Sequence, residues 1–135
     1  MKNIYSNIYS FSKKILKKTI KSLKQGNIVG LPTETVYGVA GNAYLKKSIK
    51  RIFDIKRRSK NNPLIIHYYN TNGLNKDVIL NNNFKKLYEN FCPGPLTFIL
   101  KKKKNSKINN LATANLDTVA VRFPSHKIIR TILKL

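Results

Sequence analysis

Acidic residues are scarce in this sequence: it contains five Asp and Glu residues against 27 Lys and Arg residues, which gives a formal net charge of +22. This imbalance favours a polyanionic partner such as nucleic acid or phosphate. The alternative is codon bias, because most of the cations are lysine and the chain is also rich in asparagine and isoleucine, as an AT-rich genome would encode. The few arginines are therefore the more informative cations.

Cysteine is also scarce, and the sequence shows neither a long apolar run nor a leader-like segment. The single cysteine, Cys92, excludes an internal disulfide and a metal site built from cysteines, which agrees with a reducing compartment. No segment approaches the ~20 apolar residues of a membrane span, and the N-terminus lacks the apolar core of a signal peptide. We therefore expect a cytoplasmic protein. The 135 residues, of which 41% are hydrophobic, fit a single domain over residues 1–135.

Hydrophobic periodicity predicts alternating helices and strands. Apolar residues at helical spacing from Phe11 to Leu23 predict a first helix that Ser10 or Ser12 caps and Gly26 ends. The other expected elements are, in order, strand 27–31, helix 48–58, strand 64–69, helix 83–91, strand 96–101, strand 118–123 and helix 126–135, which Ser125 caps. The polar segment 101–110 indicates a solvated loop. This order implies an α/β fold with a mixed sheet and helices packed on it.

Two loops carry more chemistry than a turn requires. The segment LPTETVYG follows the first strand and offers two hydroxyls, a carboxylate and a phenol, which indicates a ligand site because loops on a rigid scaffold carry function. The segment KRRSK, Lys56 to Lys60, places four cations in five residues. Arginine forks and lysine charges suit a polyphosphate, although a solvated helix end with cations near its dipole is the alternative.

Two strands carry further candidates. Alternation places Thr118, Ala120 and Arg122 on one face, where a hydroxyl and a guanidinium could form an anion site, the alternative being an edge cation. His67, within PLIIHYY, is either a ligand residue or a structural histidine. The sequence contains neither G-x-x-x-x-G-K-[ST] nor G-x-G-x-x-G, so any nucleotide would be held by neither of these phosphate cradles.

Four segments in order, LPTETVYG, FDIKRRSKNNPLIIH, CPGPLTFIL and ATANLDTVAVRFPSH, resemble the YrdC/TsaC family of threonylcarbamoyl-AMP synthases. The resemblance covers roughly residues 28–135. It implies a YrdC-like α/β fold with a twisted mixed sheet, flanking helices and a concave basic face. It also implies a nucleotidyltransferase that converts L-threonine, bicarbonate or CO2, and ATP to threonylcarbamoyl-AMP and pyrophosphate. A partner transferase would then use the product in tRNA modification.

The resemblance also implies roles for individual residues. Those implied to bind L-threonine are Thr35, His67 and Arg122. Those implied to contact ATP are Arg58, Asn62 and Thr118, with Lys56 and Arg58 as the catalytic cations. Thr33 and Tyr37 would wall the pocket, and the role of Glu34 stays open.

The implied chemistry needs no nucleophilic side chain, because the carbamate of threonine attacks the α-phosphorus. Positioning and charge stabilisation are then the work of the protein. Mg²⁺ would be held mainly by phosphates and water, since carboxylates are scarce, and no metal site built from protein side chains is expected.

The sequence departs from the family pattern at several positions. Arg57 and Asn115 stand where the family usually has glycine, Ser59 where it has proline, and Cys92 where it has an aromatic residue. Past the last helix the resemblance implies a strand and a Ser-Ala-Asn motif that complete the ATP site, and this sequence contains neither, so we expect C-terminal strands to be missing. The alternatives to an active enzyme are a module that binds double-stranded RNA or tRNA and an inactive truncated remnant.

Overall fold

The computed structural model describes residues 7–135. Its helices are α1 (Lys13–Lys24), α2 (Lys46–Lys56), α3 (Thr71–Leu74), α4 (Asn82–Phe91) and α5 (Lys127–Leu133). Its strands are β1 (Val29–Pro32), β2 (Tyr37–Ala40), β3 (Ile65–His67), β4 (Val78–Ile79), β5 (Thr97–Lys102) and β6 (Thr118–Arg122), and a 3-10 turn spans Asn110–Thr113. None of the described helices has the length and apolar character that crossing a membrane would require.

A four-stranded mixed sheet in the order β3-β6-β5-β4 forms the centre of the fold. β6 pairs in parallel with β3 and antiparallel with β5, and β5 pairs antiparallel with β4. β1 and β2 form a separate antiparallel hairpin. The predicted α/β class, with a mixed sheet and flanking helices, is confirmed.

The first helix begins and ends where the sequence predicts. Ser12 is the N-cap of α1, and its side chain accepts a hydrogen bond from the backbone N of Ile15 at 3.3 Å. Such a bond satisfies one of the free amides of the first helical turn. Gly26 lies just beyond the helix with φ +79°, a left-handed conformation that glycine adopts without steric cost.

Three local predictions differ from the structure. The sequence predicts Ser125 as the cap of the last helix, but the N-cap is His126, whose Nδ1 accepts a hydrogen bond from the backbone N of Ile128 at 3.3 Å. The sequence predicts no strand over 37–40, where β2 lies, because a four-residue strand with glycine in it gives little pattern. It also predicts no element over 71–79, where α3 and β4 are each four residues or shorter.

One face of the four-stranded sheet packs into the core. Its inward side chains alternate along β5 and β6, and Phe98, Leu100, Val119 and Val121 are each at most 6% exposed. Phe84 of α4 packs edge-on against Phe98, with ring centroids 4.9 Å apart. Because each large apolar side chain contributes ~1.5–3 kcal/mol when fully buried, this layer fixes the two strands against the helix.

The opposite face of the sheet is only partly covered, and it carries the polar strand residues. Thr118, Ala120 and Arg122 of β6 are half-buried there, on the face that the alternation predicts. Arg122 is in register with His67 on β3 and with Thr97 on β5. The fold therefore brings three polar side chains from three strands together at one end of the sheet.

Two of the positions that depart from the family pattern have left-handed backbone. Arg57 has φ 47° and Asn115 has φ 61°. Asparagine adopts this conformation more readily than most residues, whereas in arginine the Cβ is brought too close to the neighbouring carbonyl oxygen, which is destabilising. Arg57 is the C-cap of α2, where the backbone N of Arg58 donates to the carbonyl O of Phe53 at 3.0 Å.

We expect Arg57→Gly to raise the free energy of unfolding by ~0.5–1 kcal/mol, because glycine removes the strain at this left-handed cap. Urea denaturation measures the change. The matched control is Lys50→Gly in the exposed interior of α2, which is expected to lower stability by ~1 kcal/mol. A loss of stability in Arg57→Gly would contradict the argument.

Asp77 is a buried carboxylate that ties three parts of the chain together. It is 2% exposed, and its Oδ2 accepts hydrogen bonds from the hydroxyls of Tyr44 and Tyr68, each at 2.8 Å. Its Oδ1 accepts from the hydroxyl of Ser106 at 2.7 Å and from the backbone N of Lys107 at 3.2 Å. Burial alone would raise the pKa of the carboxyl, but these hydrogen bonds outweigh it and hold the pKa below its usual value.

Asp77→Asn is expected to lower the free energy of unfolding at pH 7 by ~1–3 kcal/mol, because an amide nitrogen cannot accept the bonds that one carboxylate oxygen accepts. The folded pKa lies below the unfolded one, so the carboxylate stabilises above the unfolded pKa and loses that effect as pH falls through the folded pKa. The difference from wild type should therefore shrink in acid. Urea denaturation at several pH values measures the loss of unfolding free energy and its dependence on pH. The control is Asp54→Asn at an exposed position. A loss in Asp77→Asn no larger than the loss in Asp54→Asn would contradict the role of Asp77.

Candidate active site

The turn between β1 and β2 is closed by the hydroxyl of Thr33. Its Oγ1 donates to the carbonyl O of Val36 at 2.7 Å and accepts from the backbone N of Thr35 at 3.3 Å and of Val36 at 3.2 Å. The Oγ1 atoms of Thr33 and Thr35 lie 3.1 Å apart and share a hydrogen bond. The structure therefore brings these two predicted residues together, whereas Tyr37, just beyond the turn, is 81% exposed.

Arg122 is held from two sides at the end of β6. Its Nε and Nη2 donate to Thr97 Oγ1 at 3.1 and 2.9 Å. Its Nη1 lies 3.8 Å from Glu34 Oε1, and the two side chains are 18% and 13% exposed. A planar guanidinium held in a largely desolvated position is suited to bind a carboxylate or phosphate.

Glu34 links the hairpin turn to the segment that follows β6. Its Oε2 accepts a hydrogen bond from the backbone N of Ser125 at 3.2 Å, across 91 positions of sequence. Its Oε1 is buried and accepts no hydrogen bond from the described residues. A buried carboxylate oxygen is costly unless a cation compensates its charge, so Arg122 is the partner that makes this placement possible.

His67 lies beside Arg122 on the neighbouring strand β3. Burial, and secondarily the positive charge of Arg122, lower the pKa of His67 from 6.5 to about 4, although Glu34 acts in the opposite direction. The imidazole is therefore neutral at pH 7, with one nitrogen to donate and one to accept a hydrogen bond.

Arg58 and Asn62 form one cluster in the loop that follows α2. Arg58 Nη2 donates to Asn62 Oδ1 at 2.7 Å and to the carbonyl O of Pro63 at 3.0 Å. Arg58 Nε donates to the carbonyl O of Asn62 at 3.2 Å. Thr118 begins β6, at the opposite end of the strand from Arg122, and the parallel pairing of β6 with β3 places it beside the start of β3, which this loop enters.

An open cleft of about 820 Å³ lies between the turn, the loop and the sheet. The predicted site residues that line it are Thr33, Lys56, Arg58 and His67. The predicted residues that lie outside its lining are Thr35, Tyr37, Asn62, Thr118 and Arg122. Apolar side chains of α1 and α5 complete its walls, including Ile20, Leu23, Ile129 and Ile132. A largely apolar cleft with a few convergent polar groups is the usual form of a small-molecule site.

Two residues of the site are not assigned by the sequence. The sequence predicts no role for Thr97 and leaves the role of Glu34 open. In the structure both side chains lie against the guanidinium of Arg122. The pairing of β5 with β6 could have identified Thr97, because it lies directly opposite Arg122. The contact of Glu34 has no local signal, since its partners are far away in sequence.

We expect His67 to titrate near pH 4 in the wild type and at a higher pH in Arg122→Gln, because that substitution removes one of the two causes of the lowered pKa. NMR titration of the imidazole C–H signals measures both values. Arg130→Gln is the control, since the guanidinium of Arg130 lies over the ring of Tyr69, 4.5 Å from its centroid, and is not among the causes of the His67 shift. A wild-type His67 that titrates near 6.5 would contradict the burial of this imidazole.

Known proteins are similar to this chain in sequence and in fold. A family model named for Sua5, YciO and YrdC, and described as telomere recombination, matches residues 21–135. The threonylcarbamoyl-AMP synthase of Pyrococcus abyssi is 40% identical over 116 residues, which are 84% of this chain and 33% of the relative. A relative from Methanocaldococcus jannaschii is 36% identical over 136 residues, or 98% of this chain and 64% of the relative.

A solved structure agrees with these matches. Pyrococcus abyssi Sua5, crystallised in complex with L-threonine, superimposes with a TM-score of 0.86 at 35% identity, covering 93% of this chain and 37% of that one. The chain therefore spans between about a third and 64% of the length of the relatives described above.

Proposed function

Since this chain belongs to the Sua5, YciO and YrdC family, we propose that it takes part in the synthesis of threonylcarbamoyl-AMP for tRNA modification. The substrates would be L-threonine, bicarbonate or CO2, and ATP, and a partner transferase would consume the product. The observation that carries this proposal is Arg122, held between Thr97 and Glu34 beside a neutral His67. The complex of the Pyrococcus abyssi protein with L-threonine supports the choice of amino acid.

The threonine would bind at the end of β6. Arg122 would pair with its carboxylate, because a guanidinium matches a carboxylate in both charge and geometry. His67 would offer a single hydrogen bond without adding a second positive charge, since its imidazole is neutral at pH 7. Thr35 would contribute its hydroxyl from the turn, where the hydrogen bonds of Thr33 hold it.

ATP would bind along the cationic side of the cleft. Arg58 and Lys56, which line the cleft, would contact ATP and the anionic reactants. Asn62 and Thr118, which lie outside its lining, would contact ATP from the loop after α2 and from the start of β6. In the reaction, the threonine amine and bicarbonate combine to a carbamate and water. A carbamate oxygen then forms a bond to the α-phosphorus, the bond from that phosphorus to the bridging oxygen breaks, and pyrophosphate leaves. The cations would stabilise the charge that develops on the phosphoryl oxygens.

The residues present do not form a cage for Mg²⁺. Within residues 7–135 no group of three or more His, Cys, Asp or Glu side chains could hold a metal ion. Glu34, the carboxylate of the turn, already faces Arg122 and the backbone N of Ser125. Any Mg²⁺ would therefore be carried by the phosphates of ATP and by water.

Pyrophosphate release tests the proposal. We expect the purified chain to release pyrophosphate from ATP in the presence of bicarbonate and Mg²⁺ only when L-threonine is added. Arg58→Ala is expected to reduce the rate at least ~10-fold, because it removes a charge that stabilises the transition state. The matched control is Arg51→Ala, whose guanidinium bonds Asn27 Oδ1 at 2.6 Å outside the cleft and should leave the rate unchanged.

Three results would contradict parts of the proposal. Release that does not depend on L-threonine would exclude this reaction. Equal rates in Arg58→Ala and wild type would exclude Arg58 from the machinery. Circular dichroism of each variant separates loss of activity from loss of fold, and a folded wild type without activity would exclude synthesis by this chain alone.

A further inference from the structure

The donors of Arg122 are divided between two neighbours. Nε and Nη2, along one edge of the guanidinium, both point to the hydroxyl oxygen of Thr97 at 3.1 and 2.9 Å. Nη1, on the other side, faces Glu34 Oε1 at 3.8 Å. Since a guanidinium is planar and carries five N–H donors, these two contacts fix its plane and leave donors at the outer end, where Nη1 and Nη2 lie side by side.

Thr97 is placed by the core of the protein. It lies in β5 directly opposite Arg122, and the next residue, Phe98, is buried against Phe84. The backbone of Thr97 is therefore held by both the sheet and the packed layer beneath it. Its side chain is on the partly covered face of the sheet, half-buried, so that its hydroxyl has a defined position relative to β6.

Glu34 approaches Arg122 from the hairpin turn. The backbone N of Ser125 holds its Oε2 at 3.2 Å, and this leaves Oε1 toward the guanidinium. Because both side chains are largely desolvated, the carboxylate offsets a charge that would otherwise be costly to bury. The contact also fixes how far the turn lies from the end of β6.

We propose that Thr97 and Glu34 are positioning residues that together orient Arg122, so that its outer Nη1–Nη2 end is presented to the carboxylate of the amino-acid substrate. The hydroxyl of Thr97 fixes the plane of the guanidinium by accepting from Nε and Nη2. The charge of Glu34 attracts Nη1 on the opposite side of the guanidinium. The identity of the ligand rests on the proposed function. The clamp on Arg122, by which we mean its contacts with Thr97 and Glu34, does not rest on that function.

Thr97→Val and Thr97→Ser test the hydroxyl of Thr97. Valine keeps the shape of threonine without its hydroxyl, and serine keeps the hydroxyl. Calorimetric titration with L-threonine is expected to give a Kd ~10-fold weaker in Thr97→Val, because a hydrogen bond to a charged group is lost, and a Kd close to wild type in Thr97→Ser. The control is Ile99→Val, an exposed position two residues along the same strand.

The order of the guanidinium is a second readout that needs no ligand. The Nε–H of Arg122 should exchange slowly with solvent in the wild type and in Thr97→Ser, and much faster in Thr97→Val, as measured by NMR. Weaker binding in Thr97→Val with an unchanged exchange rate would mean that Thr97 contacts the ligand itself, which would overturn the positioning role.

Glu34→Gln tests the charge of Glu34. The glutamine amide oxygen can still accept from Ser125, so the turn stays anchored while the charge is lost. L-threonine is expected to bind about threefold to tenfold more weakly, because Arg122 is less well oriented. Tighter binding would mean that Glu34 competes with the ligand for Arg122, and would overturn the proposal. If the wild type does not bind L-threonine at all, the proposed function fails, and the exchange of the Arg122 Nε–H still decides whether the clamp exists.

Discussion

The pairing of β6 with both β3 and β5 is the constraint on which the rest of the structure depends. Because side chains alternate along a strand, the register that turns Val119 and Val121 into the core also turns Arg122 to the opposite face. The same register sets Arg122 opposite His67 and Thr97. A slip of one residue would exchange the two faces, so the core and the site cannot vary independently.

The sequence contains few carboxylates, and the two that are largely removed from solvent, Glu34 and Asp77, each have defined partners. Glu34 lies against Arg122, whereas Asp77 is 2% exposed and accepts hydrogen bonds from three hydroxyls and a backbone amide. In a chain of net charge +22, the many lysines produce a positive potential that favours anionic reactants but defines no geometry. Specific recognition therefore depends on the few groups whose partners fix them, and Arg122 is one such cation.

Local signals predict local structure well here. A serine cap of α1, at Ser10 or Ser12, and the shared face of Thr118 and Arg122 both follow from spacing; the structure has Ser12 as the cap and confirms the shared face. The hairpin strand β2 and the short elements α3 and β4 are too brief to produce a period. The contact of Glu34 with Ser125 spans 91 residues and depends on how the hairpin packs beside the sheet, which no local pattern encodes. The resemblance to a family supplied the candidate site residues, whereas the proposed roles of Thr97 and Glu34 come from the geometry of the structure.

The candidate site has two halves that differ in how far their side chains are already arranged for binding. At the end of β6 the proposed amino-acid half is preorganised: Arg122 and Glu34 are less than a fifth exposed, and burial and the charge of Arg122 lower the pKa of His67 so that it is neutral at pH 7. On the proposed nucleotide side, the hydrogen bonds that Arg58 donates all go to residues of its own loop. A carboxylate could therefore be bound with little rearrangement, whereas phosphates would have to draw Arg58 away from its loop partners. Since a preformed contact costs less ordering entropy than one made on binding, the proposed amino-acid half is better organised for its ligand than the proposed nucleotide half.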